Sequence, residues 1–177
     1  MAVGEARPGY ELWRPNREKP ESLTTRFIAV VLLVASAALM LIITLGGWDV
    51  LVGGSTYGII ALVFVAVYLL LAVMIWRWSR GALSLSIALS VLLAIFCAVG
   101  AGSWFARNKA GFIEPALPSD LIGLLVLLLI PLQAAVLVAC AIGFNQEWHV
   151  EEERPIGSAD GGPDRTDVDP GSLAGAS

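Results

Sequence analysis

Few residues in this chain have the types and spacing that chemistry requires. Histidine occurs once, as His149, so one copy of the chain offers neither a bis-histidine haem site nor a multi-histidine zinc site. Met40 or Met74 would need a second ligand from another subunit, and no cofactor or metal is expected. Asp160, Asp164, Asp167 and Asp169 match a calcium loop in composition only, because the alternating ligand spacing and the closing Glu are missing. They read as a solvated acidic tail. Asp49, Arg107, Lys109, Glu114, Asp120 and Glu147 are the groups on which surface acid–base catalysis would have to rest. No recognisable spacing links them, so the expectation is that the protein is not an enzyme.

The two thiols, Cys97 and Cys140, fall on different apolar segments. At 1.5 Å per residue, helix geometry puts them about 16 Å apart in depth. A disulfide needs Cα atoms within about 7 Å, so both read as reduced, small apolar residues. Gln133 has stronger chemical content. It lies near the centre of an apolar segment and follows Pro131, whose missing N–H leaves the carbonyl of Leu127 without its usual partner. The structural expectation is a hydrogen bond from Gln133 to a neighbouring helix, with Tyr68 as the partner; the functional one is a polar pathway or lipophilic-ligand cavity at Tyr68, Pro131 and Gln133.

The segments that must position these residues are identified by where charge is absent. The chain has 177 residues, 57% hydrophobic and 15% charged, with a formal net charge of −4. Asp, Glu, Lys and Arg are missing from Phe27–Trp48, Val50–Trp76, Gly81–Ala106 and Leu121–Gln146. Each run exceeds the roughly 20 apolar residues that a helix needs to cross a bilayer core. With a mean hydropathy of +0.78, this argues against a soluble enzyme, a nucleic-acid binder or a secreted disulfide scaffold. The expected fold is all-α: a polytopic, four-transmembrane-helix bundle with spans near 27–46, 57–76, 82–102 and 121–144, and with disordered cytoplasmic tails.

The expected division is a cytoplasmic N-terminal tail at 1–26, a transmembrane domain at 27–146 and an acidic, largely disordered cytoplasmic tail at 147–177. Ala35-Ser36-Ala37 imitates a signal-peptide cleavage site, but the apolar run continues well past it and reads as a retained span. Arg7, Arg14, Arg17, Lys19, Arg26, Arg77, Arg80, Arg154 and Arg165 fall on one side, against Arg107 and Lys109 on the other. Because cytoplasmic loops are enriched in Lys and Arg, both termini are expected in the cytoplasm. Trp48, Trp76, Trp78, Trp104 and Trp148 fall near span ends and read as interfacial belt anchors. The similar endings Gly46-Gly47-Trp48 and Gly102-Ser103-Trp104 raise the idea of two duplicated hairpins.

No acidic or basic group lies at membrane depth, which argues against ion-coupled transport, since a proton relay needs a site that gains and loses charge. Small residues recur every four positions along the third span, at Ala82, Ser86, Ser90, Ala94, Ala98 and Gly102, and more briefly along the fourth, at Ala135, Ala139 and Gly143. Such stripes let helices approach closely in lipid, where the hydrophobic effect does not drive association. The two stripes are expected to pack together, or to receive a partner helix. The resulting expectation is a non-catalytic accessory or scaffold subunit that binds another membrane protein or itself, in the lipid bilayer of a bacterial plasma membrane. A transporter, channel or lipophilic-ligand binder is the alternative.

Overall fold

The computed structural model describes residues 9–52, 57–107, 114–148 and 150–156. His149, Lys109, Gly53-Gly54 and the aspartates from Asp160 onward lie outside the described residues. The element order is β1 (Tyr10–Trp13), α1 (Pro15–Glu18), α2 (Pro20–Gly46), α3 (Trp48–Val52), α4 (Tyr57–Trp76), α5 (Arg80–Phe105), α6 (Ser119–Asn145) and β2 (Glu152–Pro155).

Four of these, α2, α4, α5 and α6, are long and apolar enough to cross a membrane. They match the four charge-free runs; α4 lies within its run, whereas α2, α5 and α6 begin before theirs, for a physical reason. Apolarity delimits what a bilayer can cover, whereas a helix continues until its backbone is interrupted. In α2 that start is Pro20, which occupies the first turn and needs no hydrogen-bond partner for its missing N–H. At 27 residues, α2 is about 40 Å long, so its first turns lie beyond an apolar core about 30 Å thick.

The helix faces divide as lipid exposure requires. Leu33, Tyr68, Leu71, Ile75, Leu83, Ile122 and Val136 are buried at the bundle centre. Phe27, Ile59, Val63, Leu70, Val99 and Leu124 are more than half exposed. A bundle apolar both inside and out is what a helix surrounded by lipid needs. The chain is thus built as a multi-pass integral membrane protein. The α5–α6 interface is the most extensive in the bundle, whereas α4 and α5 touch only sparingly.

At the end of the bundle away from the termini, glycines permit close approach. A Cβ on Gly47 would sit 2.7 Å from Cη2 of Trp104, and one on Gly123 would meet the Phe105 ring at 2.9 Å. The connection expected as a glycine-rich turn at 47–56 contains the single-turn helix α3, started by the Val50 and Leu51 amides bonding back to Gly47. Trp104 is only 7% exposed, so it fills the helix ends and is not a belt anchor. Trp148, at the opposite end, is likewise buried at 1%. Trp48 and Trp76 keep the exposure that an interfacial ring needs, at 38% and 51%.

The strands form a separate unit. Tyr10 pairs with Pro155 and Trp13 with Glu152 in an antiparallel ribbon, and the Arg154 guanidinium bonds Glu11 at 3.0 Å across it. Arg154 also lies 5.3 Å from the Trp13 ring centre. Both segments were expected to be disordered tail, and this is a correction for residues 10–13 and 152–155. Each is too polar to order alone, but the cross-strand ion pair and the aromatic contact give each a partner from the other end of the chain.

Candidate functional site

Two features of the helix bundle have the makings of a site. The first is a buried polar cluster. The Tyr68 hydroxyl of α4 donates to Gln133 Oε1 of α6 at 2.7 Å, and Gln133 Nε2 donates to Ser36 Oγ of α2 at 3.1 Å. Ser36 Oγ in turn donates to the Leu32 carbonyl at 2.8 Å. All three side chains are at most 1% exposed. The cluster ties three helices together at one depth and satisfies the polar groups that would be costly to leave unpaired in lipid. Pro131 is not part of it. Two residues along a helix turn about 200°, so Pro131 faces outward while Gln133 faces the centre.

The second feature is a cavity of about 1040 Å³ in the half of the bundle away from the termini. It exists because α4 and α5 barely touch. Met40, Ile43, Phe64, Leu93, Cys97 and Leu129 form its apolar depth. Asp49, Tyr57, Ser103 and Arg107 add polar groups nearer the helix ends. It opens sideways between α4 and α5, where the lining residues Ile60, Ile95 and Phe96 are about half exposed. Phe64 and Phe96 meet edge to face across this opening, with ring centres 6.3 Å apart.

The two features adjoin without merging. Met40, Phe64 and Leu129 line the cavity, and each lies one helical turn from its counterpart in the cluster: Ser36, Tyr68 and Gln133. The Tyr68–Gln133–Ser36 cluster thus lies one turn beyond the cavity floor, with its hydrogen bonds spent internally. Sequence reasoning found the cluster because a glutamine and a tyrosine stand out in apolar runs. It missed the cavity, which is made by the spacing of two helices and carries no residue-type signature.

The remaining candidates are distributed as follows. Ala82, Ser86, Ser90, Ala139 and Gly143 are buried, on the two helices that share the largest interface. Ala98 and Gly102 are exposed, because buried positions in the C-terminal half of α5 pass to Cys97, Ala101 and Trp104; Ala135 of α6 is also exposed and Ala94 is half-buried. Cys97 and Cys140 are both free, and Cys97 lines the cavity. Asp49 and Arg107 come to one cavity, whereas Glu147 lies at the other end, its carbonyl accepting from Asn16 Nδ2 at 3.2 Å. Among the described residues, no group of three or more His, Cys, Asp or Glu is placed to hold a metal ion.

The cluster of aromatic and cationic groups at the termini end was not read from the sequence. Trp148 Nε1 donates to Gln146 Oε1 at 3.1 Å, Gln146 Nε2 donates to Thr25 Oγ1 at 2.9 Å, and Arg17 Nε donates to the Trp148 carbonyl at 3.0 Å. Trp78 meets Trp148 edge to face at 5.0 Å. A left-handed Glu147, at φ +50°, turns the chain back so that the indole enters the bundle. No known protein family matches this chain, nor does any curated protein or solved structure.

Proposed function

We propose that this is a non-catalytic integral membrane protein that holds an apolar or amphiphilic molecule in the cavity between α4 and α5. The observation that carries the reading is the cavity itself: about 1040 Å³, apolar in its depth, polar toward the helix ends and open to the side. Binding sites for small molecules run to roughly 1,000 Å³ and combine mostly apolar walls with a few polar groups. A side opening in a membrane bundle admits a molecule that is already dissolved in the bilayer. Asp49, Ser103 and Arg107 would then hold its polar end, and Phe64, Leu93 and Leu129 its apolar body.

The lipophilic ligand considered from the sequence is thereby moved one turn from Gln133, into space that the Tyr68–Gln133 bond does not occupy. The excess of Lys and Arg at the termini end supports a cytoplasmic placement of both termini, and the cavity then lies in the outer half of the membrane. A bacterial plasma membrane is the proposed location. The test uses Gly100, which lines the cavity and where an added Cβ meets nothing within 4 Å. Gly100→Phe should fill the space without disturbing the fold. Native mass spectrometry from mild detergent should show the wild type retaining a small molecule, and the variant losing it at unchanged melting temperature. Equal retention by both would overturn the assignment.

A second reading, as an accessory subunit, has one observation of its own. The outer half of the α5 small-residue stripe, at Ala98 and Gly102, faces away from the bundle and leaves room for a helix from another membrane protein or a second copy. Mild-detergent purification at native expression should then recover a stoichiometric membrane partner. Recovery of a lone monomer would remove this reading.

A further inference from the structure

At the termini end of the bundle, Arg26 of α2 packs against two indole rings. Its guanidinium carbon is 4.5 Å from the Trp76 ring centre and 4.3 Å from that of Trp78. Both distances are well inside the cation–π range of about 6 Å. A planar guanidinium packed against aromatic rings meets an acceptor along its N–H edge. That edge is poorly used: Nε is buried without a partner, Nη1 reaches the Trp76 carbonyl at a long 3.4 Å, and the Nη1–Nη2 end is what remains for a ligand. No carboxylate pairs with Arg26 among the described residues.

Trp78 provides the second observation. It ends α4 in a Schellman-type turn, with the Ser79 amide bonding the Met74 carbonyl at 3.0 Å, and it takes the left-handed position of that turn at φ +64°. Glycine normally fills this position, and a bulky residue there is strained. In this left-handed turn the ring meets Arg26, with Arg17 at 5.6 Å from the same ring. The surroundings supply the third. Phe27 and Val73, near the clamp on α2 and α4, and Trp76 itself are all more than half exposed, so the clamp borders a surface apolar enough for acyl chains.

We propose that the Trp76–Arg26–Trp78 clamp binds the phosphoryl group of an anionic phospholipid. The bidentate Nη1–Nη2 edge of a guanidinium matches a phosphate, and contact with two indole rings restricts the side chain before the lipid arrives. The flanking apolar surface favours a lipid headgroup over a free anion. This site is independent of the cavity, which lies at the other end of the bundle, so either can fail alone.

The experiment titrates the full chain in mild detergent with phosphatidylglycerol, phosphatidylcholine or inorganic phosphate and reads bound species by native mass spectrometry. Phosphatidylglycerol should bind at least fivefold more tightly than phosphatidylcholine. Arg26→Gln should remove the preference, and Arg26→Lys should restore only part of it, because an ammonium keeps the charge but not the planar edge. Trp78→Gly suits the left-handed turn and should also lose the preference, which guards against reading a folding defect as a binding one. Equal affinity for the two lipids, a preference that survives Arg26→Gln, or inorganic phosphate competing on equal terms would each overturn the proposal.

Discussion

Replacing Trp148 with Ala should destabilise the bundle by about 3–5 kcal/mol, the range for removing a large buried aromatic side chain. The indole is 1% exposed and closes the termini end between α5 and α6. It packs on Gly143, where an added Cβ would already meet its ring at 3.2 Å, and edge to face on Trp78. Its loss also strips Gln146 Oε1 of its donor. The Arg17 bond goes to the backbone carbonyl and survives the substitution, so the measured loss belongs to the ring. Unfolding in a detergent titration, followed by circular dichroism, checks this. A change below about 1 kcal/mol, the scale expected of an exposed belt residue, would show that the ring does not sit in the bundle.

The second large effect is expected at the polar cluster, where the sign of a double substitution is informative. Gln133→Leu keeps much of the side-chain volume but leaves the fully buried Tyr68 hydroxyl without an acceptor, at a cost of about 1–3 kcal/mol. Adding Tyr68→Phe removes the stranded hydroxyl. Replacing both partners by apolar groups of similar shape can be nearly neutral, so the double variant should be more stable than Gln133→Leu alone. Strictly additive losses would mean that the two side chains do not bond each other. Ligand retention in the cavity should survive both changes, because neither residue lines it.

How far the sequence could be read follows from which interactions are local. The four long helices were legible because a charge-free run is a property of consecutive residues, and the bilayer sets its length. The Tyr68–Gln133 pairing was legible because a lone amide in an apolar helix must find a partner, and few were on offer. The C-terminal half of the α5 stripe was misleading in part. Its four-residue period drifts around a helix of 3.6 residues per turn, so one face cannot stay buried over 26 residues, and Cys97, Ala101 and Trp104 take over.

Other features had no local signal. The ribbon joins Glu11 to Arg154, 143 positions apart, and nothing in either segment announces the other. Trp104 and Trp148 occupy span ends exactly as belt residues would, and only a glycine at 47 or a left-handed turn at 147 diverts them inward. The cavity depends on how far α4 stands from α5, which no residue pattern specifies.

The most direct test of the account is to label the protein in its native membrane with a photoactivatable, diazirine-bearing fatty acid and to map the modified peptides. The account predicts modification concentrated on the cavity-lining stretches around Ile60–Phe64 and Ile95–Gly100, and its loss from both in Gly100→Phe. Labelling spread evenly over the outward faces of all four helices, unchanged by that substitution, would contradict it.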